Sequence, residues 1–423
     1  MNRDLVRDRP EVGRRGEPKH DGNGRRPPPR GSRAQRRQAL SRATMYRRRR
    51  VKVVIAVVLS VVFIWTAFSL GGALLNPALG SSFSSRFAEW ARGHGGASVV
   101  NWVEKEWYTH HAPPVGGKPP AGAIVVPHGS TSVASGPAHL PVPAAIQPFA
   151  SPAIAGEGEW SPAGRLVGGI PAVYVTTLRP DAIHTSYVVG VAWMDTKLLK
   201  ATLYSGSQIP GNGPFKNTAP IQPTASDSLV AAFNAGFIQS ESNGGYFTQG
   251  RLIDPLRVGA ASVVIYRNGN VTLGQWGRDA TMTSDVVSVR QNLDLLVDNG
   301  QPAPGINAAD TTKWGKTLGS KVFVWRSGLG QTANGALVYV GGPGLNALDL
   351  ANLLVRAGAV RGMELDINTD WVNYSIYKPE TPKGPASGLN GAELLPTMTG
   401  TPARYFQSWW ARDFFTMSAA VGG

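Results

Sequence analysis

The segment MELDINTDWVNY, Met363 to Tyr374, places Glu364, Asp366, Asn368 and Asp370 at alternate positions. If the segment is an extended strand, alternate side chains leave one face, so this spacing predicts a patch of three acids and an amide. Carboxylates held together repel one another and resist desolvation. Two chemistries make use of such a cluster. One is glycoside cleavage, in which one carboxyl serves as acid or base and another as nucleophile or electrostatic partner. The other is a hard divalent cation such as calcium, which takes oxygen ligands. An EF-hand is excluded, because Trp371 stands where that loop needs its sixth-position glycine.

Other catalytic equipment is scarce. The chain has no cysteine, and His184 is the only histidine after residue 139. Thiolate catalysis and Cys-ligated zinc are therefore excluded, and with a single histidine there a Ser-His-Asp triad or a His-rich zinc site within the domain is poorly supported. Carboxylates must carry any catalysis.

The elements that would position these acids are short and β-rich. AVYVTT (172–177), SYVVGVAWM (186–194), KATLYSG (200–206) and SLVAAFNAGF (228–237) read as strands. Two hairpins are expected, turning at Asn268-Gly269 and at Asn334-Gly335, since Asn-Gly tolerates positive φ angles. One helix stands out in NALDLANLLVRAGAV, with Asn346 as N-cap, Asp349 three residues on, Leu350, Leu353 and Leu354 on one side, and Gly358 ending it. The expected fold is α+β: a mixed, strand-rich sheet domain with few helices over 156–423, preceded by a single transmembrane helix.

The order FNAGF, a hairpin, RSGLG, a helix, then LD at a strand end resembles the phosphodiester glycosidase family over about Asp227 to Tyr374, and more weakly from Ala172 onward. The family's N-G-G-F pattern falls on Asn234, Ala235, Gly236 and Phe237. Its R-T-A-[IL]-G pattern falls on Arg326 to Gly330, and its L-D-G-G-G-S on Leu365 to Asp370. Ile367, Asn368 and Thr369 replace the three glycines. The resemblance implies hydrolysis of a sugar-1-phosphodiester, with Asp366 as the acid/base or nucleophile helped by Asp370 or Glu364. Arg326 would hold phosphate, since guanidinium pairs with phosphate oxygens. Asn234, Gly236 and Asn368 would contact substrate, and Tyr246 in the glycine-flanked SNGGYFTQG would stack on a sugar. Plainer roles are a turn cap for Asn234, a surface ion pair for Arg326 and a core position for Tyr246. The lost glycines also fit a second class of function, a catalytically inactive glycan-binding or scaffolding module.

Charge and hydropathy place this domain. Of the formal +15, nearly all sits in residues 1–52, which hold 18 Lys or Arg against 5 acids. That arm is expected to be disordered and to attract anionic lipid. With only Tyr46 interleaved among its arginines, no nucleic acid is expected as a partner. Val53 to Leu75 has no charged residue and reads as a transmembrane helix. The arginines before it put the N-terminus in the cytoplasm and the C-terminal domain outside a cell membrane. Residues 76–111 read as two juxtamembrane helices. Residues 112–155, rich in Pro, Ala and Gly, read as an extended linker or loosely draped segment that holds the domain off the membrane. The expected partners are the bilayer and an anionic glycan or sugar phosphodiester. No cofactor beyond a divalent cation is indicated.

Overall fold

The computed structural model describes residues 33–80, 82–96, 98–100, 102–103, 113–127, 138–310, 312–315 and 322–420. Residues 1–32 of the basic arm, His110 and His111, and residues 128–137 of the Pro/Ala/Gly-rich segment lie outside the described residues. The chain divides into two units, Met1–Phe68 and Ser69–Gly423.

Helix α1 runs Arg33–Leu75, and its stretch Leu40–Leu75 is long and apolar enough to cross a membrane. It starts well before the expected Val53, within the arm read as disordered. The reason is local: RAQRRQALSRA is made of strong helix formers, so the apolar helix propagates into it. A second helix, α2, spans Phe83–Ala91 behind an N-cap at Ser82.

The second unit is built from three sheets. The largest has the order β1-β2-β3-β14-β13-β15-β11-β12. Its strands are β1 (Ser161–Val167), β2 (Ile170–Leu178), β3 (Val189–Met194), β11 (Val297–Asp298), β12 (Gln301–Pro302), β13 (Val324–Thr332), β14 (Leu337–Leu345) and β15 (Ala359–Glu364). A five-stranded sheet holds β4 (Leu199–Tyr204), β5 (Leu229–Asn234), β16 (Tyr374–Tyr377), β17 (Gly391–Glu393) and β18 (Phe414–Ala419), in the order β17-β16-β5-β18-β4. The third contains β6 (Tyr246–Thr248), β7 (Arg251–Asp254), β8 (Ala261–Tyr266), β9 (Val271–Gln275) and β10 (Val286–Gln291). Every ladder between these strands is antiparallel. The mixed pairing expected from sequence is thus confined to two isolated parallel bridges.

Alternation along β14 shows how the layers form. Val338 and Val340 face one way, against Leu350, Leu353 and Leu354 of helix α3 (Ala347–Arg356). Leu337 and Tyr339 face the other way, against Phe233 of β5, Phe415 of β18 and Val263 of β8. The large sheet therefore lies between a helix and the two smaller sheets. Helix α3 has the expected reciprocal cap: Asn346 Oδ1 accepts from the Asp349 amide at 2.9 Å, and Asp349 Oδ2 accepts from the Asn346 amide at 3.2 Å.

Both Asn-Gly hairpins form, by a different turn from the expected two-residue one. Tyr266 O accepts from Gly269 N while Tyr266 N donates to Asn270 O, and the pattern repeats with Thr332, Gly335 and Ala336. Only the glycines, at φ +78° and +92°, are left-handed. Each is a three-residue loop, a type I turn closed by a bulge glycine.

Of the two forms expected for the Pro-rich segment, residues 138–155 take the draped one. Leu140, Ile146 and Ala150 are buried. Leu140 N donates to Asp195 Oδ2 at 2.7 Å. A Pro-rich extended backbone leaves its carbonyls without partners of its own, and two arginines take them: Arg179 at Ala150 and Pro152, Arg356 at Gln147 and Pro148. Residues 138–155 are thus part of the domain's surface layer.

Removing the α3 cap in Asn346→Ala should lower unfolding free energy by about 1 kcal/mol, measured by denaturant titration of the intact chain. A change within error would show that packing alone fixes the helix start.

Candidate active site

The acids of Met363–Tyr374 separate because the strand ends early. β15 stops at Glu364. Beyond it, Leu365 N still donates to Ser327 O, and Ser327 N to Asp366 O, both at 2.8 Å. The chain then turns twice through its own side chains. Asp366 Oδ1 accepts from Asn368 N, and Asn368 Oδ1 accepts from Asp370 N, each at 2.9 Å. These are Asx turns, the known habit of Asp and Asn. The single strand face expected for all four polar groups does not form, and Asp370 lies on the turn.

Glu364 and Arg326 do come together, but away from solvent. Both side chains are fully buried and form an ion pair. Arg326 also donates Nε to Leu345 O at 3.1 Å and Nη1 to Trp314 O at 2.8 Å. Register explains the pairing, since Gly328 of β13 sits opposite Glu364 of β15 and Arg326 is its diagonal neighbour. Arg326 is a fully buried strut joining β13, β14 and β15, with its Nη2 left without a hydrogen-bond partner among the described residues.

Asp366 occupies the junction between the large sheet and the end of β5. It is 2% exposed. Its amide donates to Ser327 Oγ at 3.2 Å, which fixes its backbone. Asn234, the last residue of β5, points Nδ2 at Gly236 O (3.0 Å) and lies 3.5 Å from Asp366 Oδ2. Asn234 Oδ1 is buried without a hydrogen-bond partner. Burial raises the Asp366 pKa to about 6; Arg412 and the amides of Asn368 and Ile367 oppose the rise, and Glu241 adds to it.

Arg412 is the residue that sequence reasoning missed. It directly precedes Asp413 and β18, is 9% exposed, and lies over the Trp371 ring at 4.4 Å. Burial lowers its pKa, offset by the charges of Asp366, Glu89, Asp413 and Glu241. Its Nη1 is buried with no hydrogen-bond partner among the described residues. A guanidinium with a buried, unpartnered nitrogen is costly unless something else completes it. The available signal was a charged Arg-Asp step inside the aromatic run WWARDFF.

The loop after Asn234 is held by two further residues. Arg290 pairs with Asp413 at 2.7 Å and donates to Phe237 O. Asn292 accepts from Phe237 N at 3.2 Å and donates to Glu364 O and Leu365 O at 2.7 and 2.9 Å. Gly236 fits this clamp because it adopts φ +152°, and a Cβ there would lie 3.1 Å from Asn292 Oδ1. Tyr246 of β6 is fully buried in the apolar core, 5.7 Å from the Arg290 guanidinium. It is a core residue and forms no rim. Among the described residues no group of three or more His, Asp or Glu gathers.

Comparison with known proteins follows these positions. The family model described as phosphodiester glycosidase matches residues 227–366, which bears out the resemblance drawn from FNAGF, RSGLG and LD. Among solved structures, the chain is similar to the zebrafish N-acetylglucosamine-1-phosphodiester alpha-N-acetylglucosaminidase catalytic domain auto-inhibited by its pro-peptide. The two share 15% identity, with 61% of this chain and 86% of that chain covered, at a TM-score of 0.37. A hypothetical protein from Synechocystis is similar at 11% identity, 64% of each chain and a TM-score of 0.34. No curated protein matches.

If Arg326 is a strut, Arg326→Ala should strand a buried carboxylate and cost about 3–5 kcal/mol of stability. The double change Arg326→Met with Glu364→Leu should recover most of that loss. Calorimetry of the three proteins decides it: an Arg326→Ala protein that melts like the parent contradicts the assignment.

Proposed function

We propose that the domain is a glycosidase that hydrolyses a sugar-1-phosphodiester, with Asp366 and Arg412 as its central pair. The observations that carry this reading are the buried Asp366 carboxylate and, within electrostatic reach of it, an Arg412 guanidinium with a buried nitrogen that has no partner among the described residues. A phosphodiester supplies what each lacks. Its anionic oxygens pair with Arg412, leaving the anomeric carbon for attack near Asp366.

The leaving group is a phosphate monoester, already a weak base, so the C1–O bond can break without a strong acid. Asp366 is then needed as carboxylate. It takes a proton from the attacking water as the oxygen joins C1, while the C1–O electron pair leaves with the phosphate. The proton passes to solvent in the next step. Asn234, held by Gly236 O, orients a sugar hydroxyl, and Asn368 lines the approach. Asp370 on the turn adds negative potential that favours the oxocarbenium-like state. Substrate recognition by phosphate falls to Arg412 in place of Arg326.

In this reading α1 anchors the protein in a cell membrane, with the arginine-rich arm cytoplasmic and residues 76 onward outside. The substrate then belongs to the cell envelope. A second reading is a silent glycan-binding module of the same fold, favoured by Ile367, Asn368 and Thr369 in place of glycines.

Turnover of glycosyl methyl phosphodiesters by the full chain separates the two. Asp366→Asn should lower kcat by roughly 10²–10⁴-fold, and Arg412→Ala should lower kcat/KM by about 10²–10³-fold. Binding without turnover in the parent protein would favour the silent module.

A pH dependence follows from Asp366. A carboxyl raised from 3.8 to about 6 adds no penalty below pH 3.8. It costs stability progressively as pH rises toward 6, and the cost is full above that. Activity should therefore rise through about pH 6. Asp366→Asn should raise Tm over the parent at pH 7.5 and lose that advantage by pH 4. An equal Tm difference at both pH values would sink the idea of a desolvated, ionising Asp366.

A further inference from the structure

The position of the site relative to the end of the apolar helix is fixed by a short piece of chain. Leu75 closes α1, and Asn76 caps a single 3-10 turn, Pro77–Leu79, by accepting from Ala78 N at 3.0 Å. Gly80 follows, at φ +150°, with its backbone against Asp370: a Cβ there would lie 3.1 Å from Asp370 Oδ2. Five residue steps separate Leu75 from Gly80. Fully extended they reach about 18 Å, and as a 3-10 turn about 10 Å. Asp370 is four residues from Asp366. The turn that carries Asp370 is therefore tethered a short distance from Leu75, the last residue of α1.

Helix α2 supports the same placement independently. Arg86 donates to Leu74 O and to Gly80 O, both at 2.9 Å, tying the last turn of α1 to the turn beside Asp370. Trp90 Nε1 donates to Ser69 Oγ at 2.9 Å, so α2 folds back along residues 69–75. Phe83 and Phe87, one turn apart, are 66% and 47% exposed. Exposed aromatics beside the end of an apolar helix are the composition of an interfacial helix. Glu89 of this same helix contributes to the field at Arg412.

We infer that the substrate is a membrane-embedded lipid whose headgroup is a sugar joined through its anomeric oxygen to the lipid phosphate. This rests on the proposed glycosidase reading and adds the class of aglycone. The phosphate of such a lipid lies at the headgroup plane, close to the chain end from which the tether holds the Asp370 turn. Hydrolysis adds water's oxygen to C1 and its proton to Asp366, and breaks the C1–O bond. The free sugar leaves to the aqueous side, and the lipid phosphate monoester remains in the bilayer.

The test uses the full chain in vesicles of 7:3 phosphatidylcholine and phosphatidylglycerol. Glucose 1-phosphate and N-acetylglucosamine 1-phosphate are each offered as hexadecyl and as methyl diesters. The hexadecyl diester of the accepted sugar should show kcat/KM at least about 10-fold above its methyl counterpart. Phe83→Ser with Phe87→Ser should reduce that advantage to roughly 3-fold or less while leaving methyl diester turnover unchanged. Methyl diester turnover with no hexadecyl advantage overturns the lipid inference and leaves the glycosidase standing. A double variant that slows both diesters equally also overturns it. Turnover of neither class by the parent chain overturns the glycosidase reading and this inference together.

Discussion

A carboxylate withdrawn from water next to a guanidinium that lacks a full set of partners is the constraint on which this molecule turns. Keeping Asp366 and Arg412 in one place costs desolvation on both sides, so the surrounding structure must be stiff enough to hold them. It is held from three directions. The Arg326–Glu364 pair locks β13 to β15 just before Asp366. The Arg290–Asp413 pair fixes the residue next to Arg412. Asn292 joins the loop after Asn234 to the backbone of Glu364 and Leu365. Two fully buried ion pairs thus act as scaffolding for a third, unsatisfied charge.

This division of labour clarifies why three acids at alternate positions have three fates. Glu364 is still within the ladder and meets Arg326. Asp366 is just past it, held by Ser327 and by the Asn368 amide. Asp370 lies beyond two Asx turns, beside Gly80. The replacement of three glycines by Ile367, Asn368 and Thr369 is part of the same geometry, because Asn368 is the residue that makes the second turn. The loop that a glycine-rich sequence would leave adaptable is here fixed by its own side chains.

Local signals were legible in the sequence. The capping box of α3, the two hairpins, four of the central strands and the apolar helix follow from periodicity, Asn-Gly steps and hydropathy. FNAGF, RSGLG and LD placed Asn234 and Asp366 beside one another, 132 positions apart. What was not legible depends on register and distant pairing. Nothing in RSGLG reveals that Gly328 pairs with Glu364, which turns Arg326 inward. Nothing in WWARDFF reveals that Phe414 pairs with Asn234, which carries Arg412 to the site. Which form the Pro-rich stretch takes at residues 138–155 was not legible, because distant Arg179 and Arg356 satisfy its carbonyls. The helical part of the basic arm was hidden because composition is a weaker guide than the apolar helix it continues.

The central claim is that Asp366 ionises near pH 6 under the influence of Arg412, and one titration tests it most directly. Carbon-13 NMR of the aspartate carboxyls, assigned by difference against Asp366→Asn, should give an Asp366 midpoint of about 6. That midpoint should move further up in Arg412→Ala, since the neighbouring positive charge opposes the rise. An Asp366 that titrates near 4, unmoved by the loss of Arg412, would contradict the account.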